Sequence, residues 1–317
     1  LWSSLSMRLI NAESVAKCLP YGDLIEKLRV AFTQDTCAPE RTNHTIKNTQ
    51  DAASSLLLMP AWKQEESIGI KIVSVFPENT ANNLSAVHAS YILMSAKDGL
   101  PKAIMDGSEL TLRRTACASA LAADYLAKDH TRTLLMVGTG NLAPHLIRAH
   151  MKVRDYSKVL VWGRRKEKAE QLVSSLKDLD IEILSIENIE KACSLADVIS
   201  CATLSKDALI LGEWLKPGHH LDLVGAFTPE MREVNNEAII KSRVVVDTYN
   251  GALSESGELI KALKDGDINE SHILADMRDL ILLKKNIRED ENNITLFKSV
   301  GTALEDLAAA ELVIEKI

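Results

Sequence analysis

The chain has 317 residues, enough for two domains with cores of their own, and 46% hydrophobic with 26% charged residues is the balance of a packed, water-facing fold. A formal net charge of −7 gives no global positive field, so neither nucleic acid nor an anionic membrane surface is expected as a partner. No apolar run reaches the roughly 20 residues of a membrane helix. The five cysteines (Cys18, Cys37, Cys117, Cys193, Cys201) form no CxxC pair, so a reducing, cytoplasmic setting without a disulfide framework is expected.

Residues 1–6 precede Met7 and lack a basic stretch followed by a long apolar core. They are expected to be a frayed leader or cloning remnant, not a secretory signal. Residues 12–32 carry a helical pattern. Short β-like runs follow at 55–59, 69–76, 86–94 and 102–105, separated by turn residues such as Pro77-Glu78-Asn79 and Lys97-Asp98-Gly99, which predicts an antiparallel or mixed sheet. An Ala-rich helix is predicted over 110–128. Beyond Thr131 the rhythm alternates, with strands at 133–137, 158–162, 181–184, 198–202, 220–224 and 243–247 and helices at 142–152 and 166–176. Continuous apolar strands of this kind are covered on both faces, so a doubly wound parallel α/β sheet is predicted. A last amphipathic helix spans 301–315.

The strongest motif lies where the run ending at Val137 meets Gly138-Thr139-Gly140-Asn141-Leu142-Ala143. The first glycine permits the tight turn, the second lets a pyrophosphate approach the backbone, and Ala143 allows helix and strand to pack closely. The helix then offers free N–H groups and a positive dipole end to phosphate, with Pro144 in its first turn, where a missing N–H costs little. With a strand before it, a helix after it and a second strand about 20 residues on, the turn predicts a Rossmann-type dinucleotide site. The second strand ends in Gly163-Arg164-Arg165-Lys166. NAD sites place a carboxylate at this edge to hold the ribose hydroxyls, whereas three cations suit a 2′-phosphate, so NADPH is the expected cofactor and NADH the alternative. The competing reading of these cations is a solvated start to the next helix.

A dinucleotide fold leaves the substrate open. In the β-rich half, Lys71 interrupts the apolar run Gly69-Ile70-Lys71-Ile72-Val73. It is either a snorkelling edge lysine or a buried group that needs a partner. Arg41 and the pair Arg113-Arg114 add cations, and the nearest acid before Arg114 is Glu109, a turn away. Cations with few adjacent acids suggest a small carboxylate substrate; plain surface charge is the alternative.

Taken in order, Glu40-Arg41-Thr42, Gly69-Ile70-Lys71, Met105-Asp106-Gly107, Arg114-Thr115-Ala116, the Gly138 to Ala143 turn, Gly212-Glu213-Trp214, Lys216-Pro217-Gly218, Val224-Gly225-Ala226 and Lys298-Ser299-Val300-Gly301 resemble the ornithine cyclodeaminase/mu-crystallin family over nearly the whole chain. The resemblance implies an α+β substrate-binding and dimerisation domain (7–115 with 293–317), a Rossmann domain (116–292), a homodimer formed through the β-rich domain, and a catalytic cleft between the domains. It also implies that Arg41, Lys71 and Arg114 hold a substrate carboxylate, with Lys71 a proton source. Thr203, Val224 and Gly225 would line the nicotinamide side, and Ser299 and Gly301 would join Gly138 to Leu142 in binding the cofactor.

One position departs from the cyclodeaminases of that family, which carry an Asp two residues after the Val-Gly turn to engage the substrate amino group. Here Phe227 stands there, followed by Thr228-Pro229, and an apolar ring beside Thr228 suits the uncharged carbons of a cyclic imine. The run resembles that of bacterial pyrroline-2-carboxylate reductases. The expectation is therefore NAD(P)H-dependent reduction of a small cyclic imino acid, 1-pyrroline-2-carboxylate or 1-piperideine-2-carboxylate, to L-proline or L-pipecolate. Ornithine cyclodeaminase and alanine dehydrogenase are the rival enzymes, and a crystallin-like protein that binds NADPH and a small ligand is the non-enzymatic alternative.

Other polar residues point to no metal. His219 and His220 are adjacent on a strand entry and face opposite ways, and His145 and His150 are five apart on a predicted helix. His88 reads as a core histidine, Cys117 and Cys201 as small core residues, and Glu305 and Asp306 as a capping or solvated pair.

Overall fold

A computed structural model describes residues 7–47, 53–82 and 84–317, which fall into two units: Leu1–Arg114 with Thr302–Ile317, and Thr115–Gly301. The leader expected over residues 1–6 lies outside the described residues.

The first unit is built on six strands: β1 (Arg8–Ile10), β2 (Thr42–Lys47), β3 (Ala53–Lys63), β4 (Ser67–Val75), β5 (Val87–Ser95) and β6 (Pro101–Asp106). Their order is β1-β6-β5-β4-β3-β2, antiparallel except for the parallel β1–β6 pair. Alternation along β4 puts Ser67, Gly69, Lys71 and Val73 on a buried face and Ile68, Ile70 and Ile72 on a half-buried one. The C-terminal helix, Ala303–Lys316, is Ala- and Leu-rich and is capped by Thr302, whose hydroxyl accepts from Leu304 N. It lies on the buried face: Glu311 accepts from Ser67 and, at 2.7 Å, from Lys63, Leu307 packs on Gly69, and Asp306 meets Lys71.

The helix expected over 12–32 is two helices, α1 (Ala12–Cys18) and α2 (Tyr21–Ala31). Pro20 has no N–H to donate and disfavours helical backbone at Leu19, which sits at φ −117° and ψ 61°, so one helix ends before it and the next begins after it.

Helix α3 (Gly107–Leu126) carries the chain into the second unit. There β7 (Thr133–Val137), β8 (Lys158–Trp162), β9 (Glu182–Ser185), β10 (Val198–Cys201), β11 (His220–Leu223), β12 (Ser242–Val246), β13 (Ile273–Asp276) and β14 (Ile294–Lys298) form one sheet. Its order is β13-β12-β14-β11-β10-β7-β8-β9, parallel throughout. Leu134 to Val137 are fully buried, as are all of β10 and β11. Each buried Leu or Val stabilises by about 1.5–3 kcal/mol, which is why these runs are strands despite their short length. The expected boundary at residue 293 is corrected: β14 lies between β11 and β12, so the second unit runs to Gly301.

Helices α4 (Ala143–His150), α5 (Lys166–Ser175), α6 (Ile189–Leu195), α7 (Asn236–Ile240), α8 (Tyr249–Glu255) and α9 (Gly257–Asp265) alternate with the strands. The strand order reverses between β8 and β10, on either side of β7, so the open end of β7 is the switch point at which doubly wound sheets take ligands. Among the described residues, no helix is long and apolar enough to cross a membrane.

Candidate functional site

In the first unit the charges converge on one buried carboxylate. Lys71 is 2% exposed on a strand flanked by β3 and β5, which rules out a snorkelling edge lysine. Its Nζ donates to Asp306 Oδ1 at 2.9 Å and lies 2.7 Å from Oδ2. Arg114 Nε donates to the same Oδ1 at 2.8 Å, and its Nη1 donates to Glu305 Oε2. Glu305 and Asp306 are fully buried on the first turn of the C-terminal helix, so the solvated or capping pair read from the sequence is corrected. The acids expected to be missing around Arg114 come from the far end of the chain, while Glu109 is taken by Arg113 at 2.6 Å.

Burial pushes the Lys71 ammonium down, and the nearby charges of Arg114 and Arg41 push it further. Asp306 pulls it back, and the balance is about 8. Burial raises the Asp306 carboxyl, but Arg114 and Lys71 outweigh burial and hold it below the ordinary carboxylate range. Arg114 stays protonated because Asp306 and Glu305 overcome its desolvation. Arg41, half-buried just before β2, lies within electrostatic reach of Lys71, which shares Asp306 with Arg114. Lys71 and Arg114 are thus paired with Asp306 and Glu305.

In the second unit, Gly138 has φ +120°, and a Cβ there would stand 2.5 Å from the Ala202 carbonyl oxygen, so only glycine fits between the ends of β7 and β10. Gly140 faces open space, and Thr139, Asn141 and Leu142 complete the turn into α4. Gly163 packs on the Thr139 side chain, which brings the end of β8 to the phosphate turn. A glycine turn at a switch point, open on one side and followed by free helical N–H groups, fits a pyrophosphate. Beyond it Arg164, Arg165 and Lys166 are exposed. The edge does hold a carboxylate, contrary to expectation: Glu187, beyond β9, pairs with Lys166 and leaves Arg164 and Arg165 as the cations that face solvent there.

Thr203 follows β10, and Val224-Gly225 follows β11. Glu233, which sequence reasoning missed, binds both places: Oε1 accepts from Thr203 N (2.7 Å) and Oγ1 (2.9 Å), and Oε2 accepts from Gly225 N (2.9 Å). Phe227 is 41% exposed and Thr228 is half-buried on the loop between. Ser299 Oγ and Gly301 N both donate to Asp247 Oδ2, at 3.0 and 2.6 Å, which fixes the loop after β14.

His88 is exposed on β5, not a core residue. His150 is buried with Nε2 3.1 Å from Asp222 Oδ2, and Cys117 and Cys201 are fully buried.

The sequence model of the ornithine cyclodeaminase/mu-crystallin family matches residues 7–317. Protein SAR DEFICIENT 4 of Arabidopsis thaliana is 40% identical over 317 residues, covering 96% of this chain and 96% of its own. A Delta(1)-pyrroline-2-carboxylate reductase of Colwellia psychrerythraea is 34% identical over 315 residues, covering 98% of this chain and 99% of its own. The structure of the Thermococcus litoralis Delta(1)-pyrroline-2-carboxylate reductase in complex with NADH and L-proline superposes with a TM-score of 0.92 at 34% identity, covering 98% of this chain and 97% of that one.

Proposed function

The chain belongs to the ornithine cyclodeaminase/mu-crystallin family, and from that premise we propose that it is an oxidoreductase that reduces a cyclic imino acid with NAD(P)H. The observation that carries this reading is the buried cluster in which Lys71 and Arg114 are held on Asp306 and Glu305 with Arg41 in electrostatic reach, a cationic set of the kind that receives a small carboxylate. Arg114 uses Nε and Nη1 on the two acids, so among the described residues Nη2 is left for that carboxylate, and a planar guanidinium fixes it in orientation. Once the carboxylate is held, the neighbouring imine carbon has a defined place, which is an orientation effect. Lys71 carries a proton at Nζ that can protonate the imine nitrogen, and Asp306 keeps the ammonium aimed and charged. When bound, the dinucleotide supplies the hydride that converts C=N to CH–NH. Phe227, exposed and apolar where cyclodeaminases carry a carboxylate, favours an uncharged ring over the ammonium of ornithine.

We further propose that NADPH is the preferred form, held at its 2′-phosphate by Arg164 and Arg165. The test is loss of cofactor absorbance with 1-pyrroline-2-carboxylate, run beside pyruvate plus ammonia and beside ornithine. Turnover with the cyclic imine and NADPH is expected. Replacing both arginines by serine should raise KM for NADPH about tenfold or more and leave KM for NADH nearly unchanged, since each lost charge-assisted contact is worth roughly 1.5–3 kcal/mol at most. Proline and ammonia from ornithine would mean a cyclodeaminase instead.

A homodimer through the six-stranded sheet is also proposed. Its helix-free face carries rows of apolar residues in register: Pro60, Ile70, Ile92, Ile104 and Leu9 along one, Leu58 and Ile72 along the next. Isoleucines 70, 92 and 104 are half-buried and Leu9 is 79% exposed, an apolar face of the kind that subunit contacts cover. Ile92→Asp should convert the wild-type dimer into a monomer in light scattering after gel filtration. A wild type that elutes as a monomer at micromolar concentration would sink the proposal.

A further inference from the structure

Glu233 ties the carboxyl ends of β10 and β11 into one piece. Its carboxylate accepts from two backbone N–H groups and one hydroxyl, and a Cβ on Gly225 would overlap the Thr203 backbone, so the two strand ends are pressed together under it. The group below is fully buried. Glu233 N donates to Glu258 Oε1 at 2.8 Å from the first turn of α9, and the Lys298 ammonium, at the end of β14, stands 3.4 Å from Glu258 Oε2. All three side chains are 0% exposed, and Lys298 Nζ makes no hydrogen bond among the described residues. Two carboxylates therefore share one ammonium, which leaves an excess of one negative charge where solvent screens it poorly.

A nicotinamide ring is positively charged when oxidised and neutral when reduced. We propose that Glu233 is a positioning residue of the nicotinamide site whose carboxylate also makes that site favour the oxidised ring over the reduced one. The inference rests on the reading that Thr203 and Gly225 line the nicotinamide side.

The groups that face Glu233 are Lys298 from β14, Glu258 from α9 and the Cys201 thiol from β10. Burial pushes the Glu233 carboxyl up, Lys298 pulls it down and Glu258 pushes it up again, to about 7. The Cys201 thiol, raised well above its usual value by burial, stays neutral and does not compete. A carboxyl with a raised pKa is charged above it and neutral below it. The preference for the oxidised ring should accordingly be present at pH 8 and fade toward pH 6.

The test is the dissociation constant of NADP+ and of NADPH, measured by titration calorimetry from pH 6 to pH 8.5 on the wild type and on Glu233→Gln. In the wild type the ratio of the two constants should move toward tighter NADP+ as pH rises through about 7, because the carboxylate appears there; the 2′-phosphate is common to both ligands and cancels. In Glu233→Gln at pH 8 the ratio should move toward NADPH by roughly tenfold, the order of effect of removing one poorly screened unit charge near the ring, and it should be flat with pH. Equal weakening of both ligands would reduce Glu233 to a structural staple and overturn the proposal. Should the variant not fold, the wild-type series decides alone, and a flat ratio overturns it. Failure of the wild type to bind either form would remove the cofactor reading itself, and the role of Glu233 with it.

Discussion

Lys71→Met should lower kcat/KM for the cyclic imine by about 10²–10⁴-fold, the usual worth of a positioned general acid, while the dissociation constant for NADPH stays within a factor of two. The two quantities separate because Lys71 lies in the first unit and the phosphate turn in the second. Folding should survive, since the change swaps a buried cation for an unbranched apolar side chain of similar length and leaves Asp306 paired with Arg114. The pH profile is the sharper readout. A lysine lowered to about 8 is an ammonium below that pH and an amine above it. If the ammonium is the acid, the rate is full below pH 8 and falls as pH rises through it. Stability runs the other way: between about 8 and the ordinary lysine value the unfolded chain binds more protons than the folded one, so the fold gains stability as pH rises across that window. A falling limb in the wild type that disappears from the residual activity of Lys71→Met identifies Lys71. A limb common to both belongs to the imine, and would remove Lys71 from the proton step.

What could be read in the sequence divides along physical lines. The parallel strands were legible because burial on both faces demands continuous apolar runs, and Thr133–Val137 and Lys158–Trp162 lie where those runs do. The edge strand Thr42–Lys47 (Thr-Asn-His-Thr-Ile-Lys) was not legible: every side chain is exposed, so no alternation marks it. Ile294–Lys298 was hidden because Thr295 and Lys298 break up its apolar run, and the domain boundary slipped with it. The site shows the same split. Arg41, Lys71 and Arg114 were visible as cations out of place, but the partners of Lys71 and Arg114 lie 191 to 235 residues away and look like ordinary helix-start acids. Sequence spacing carries no sign of a pairing made by a helix that lies across a sheet. The one available signal was local: Glu305 and Asp306 interrupt a helix that is otherwise Ala and Leu on the same turns. The Lys166–Glu187 pair is hidden for the same reason, since Glu187 reaches Lys166 from the end of the next strand.

Asp306→Asn tests that pairing directly and should be the most damaging conservative change in the first unit. Lys71 and Arg114 both touch Asp306, and it is fully buried. Removing its charge leaves the two cations with Glu305 alone, and breaking a buried pair from one side costs about 3–5 kcal/mol. The asparagine keeps the shape and one acceptor oxygen, so the loss measured by urea unfolding reports charge and not a cavity. Catalysis should fail by a separate route. Asp306 is the group that raises Lys71 against burial, Arg114 and Arg41. Without it the ammonium falls below 8, and on the proposed reading less of the enzyme carries its proton donor at neutral pH. The falling limb of kcat should then move to lower pH by a unit or more, with activity recovered on acidification toward pH 6. A substitution that only disturbed packing would lower the rate at every pH and leave the limb in place. Stability within about 1 kcal/mol of the wild type, together with an unmoved limb, would mean that Lys71 and Arg114 are held by something other than Asp306, because breaking a real buried pair is not that cheap.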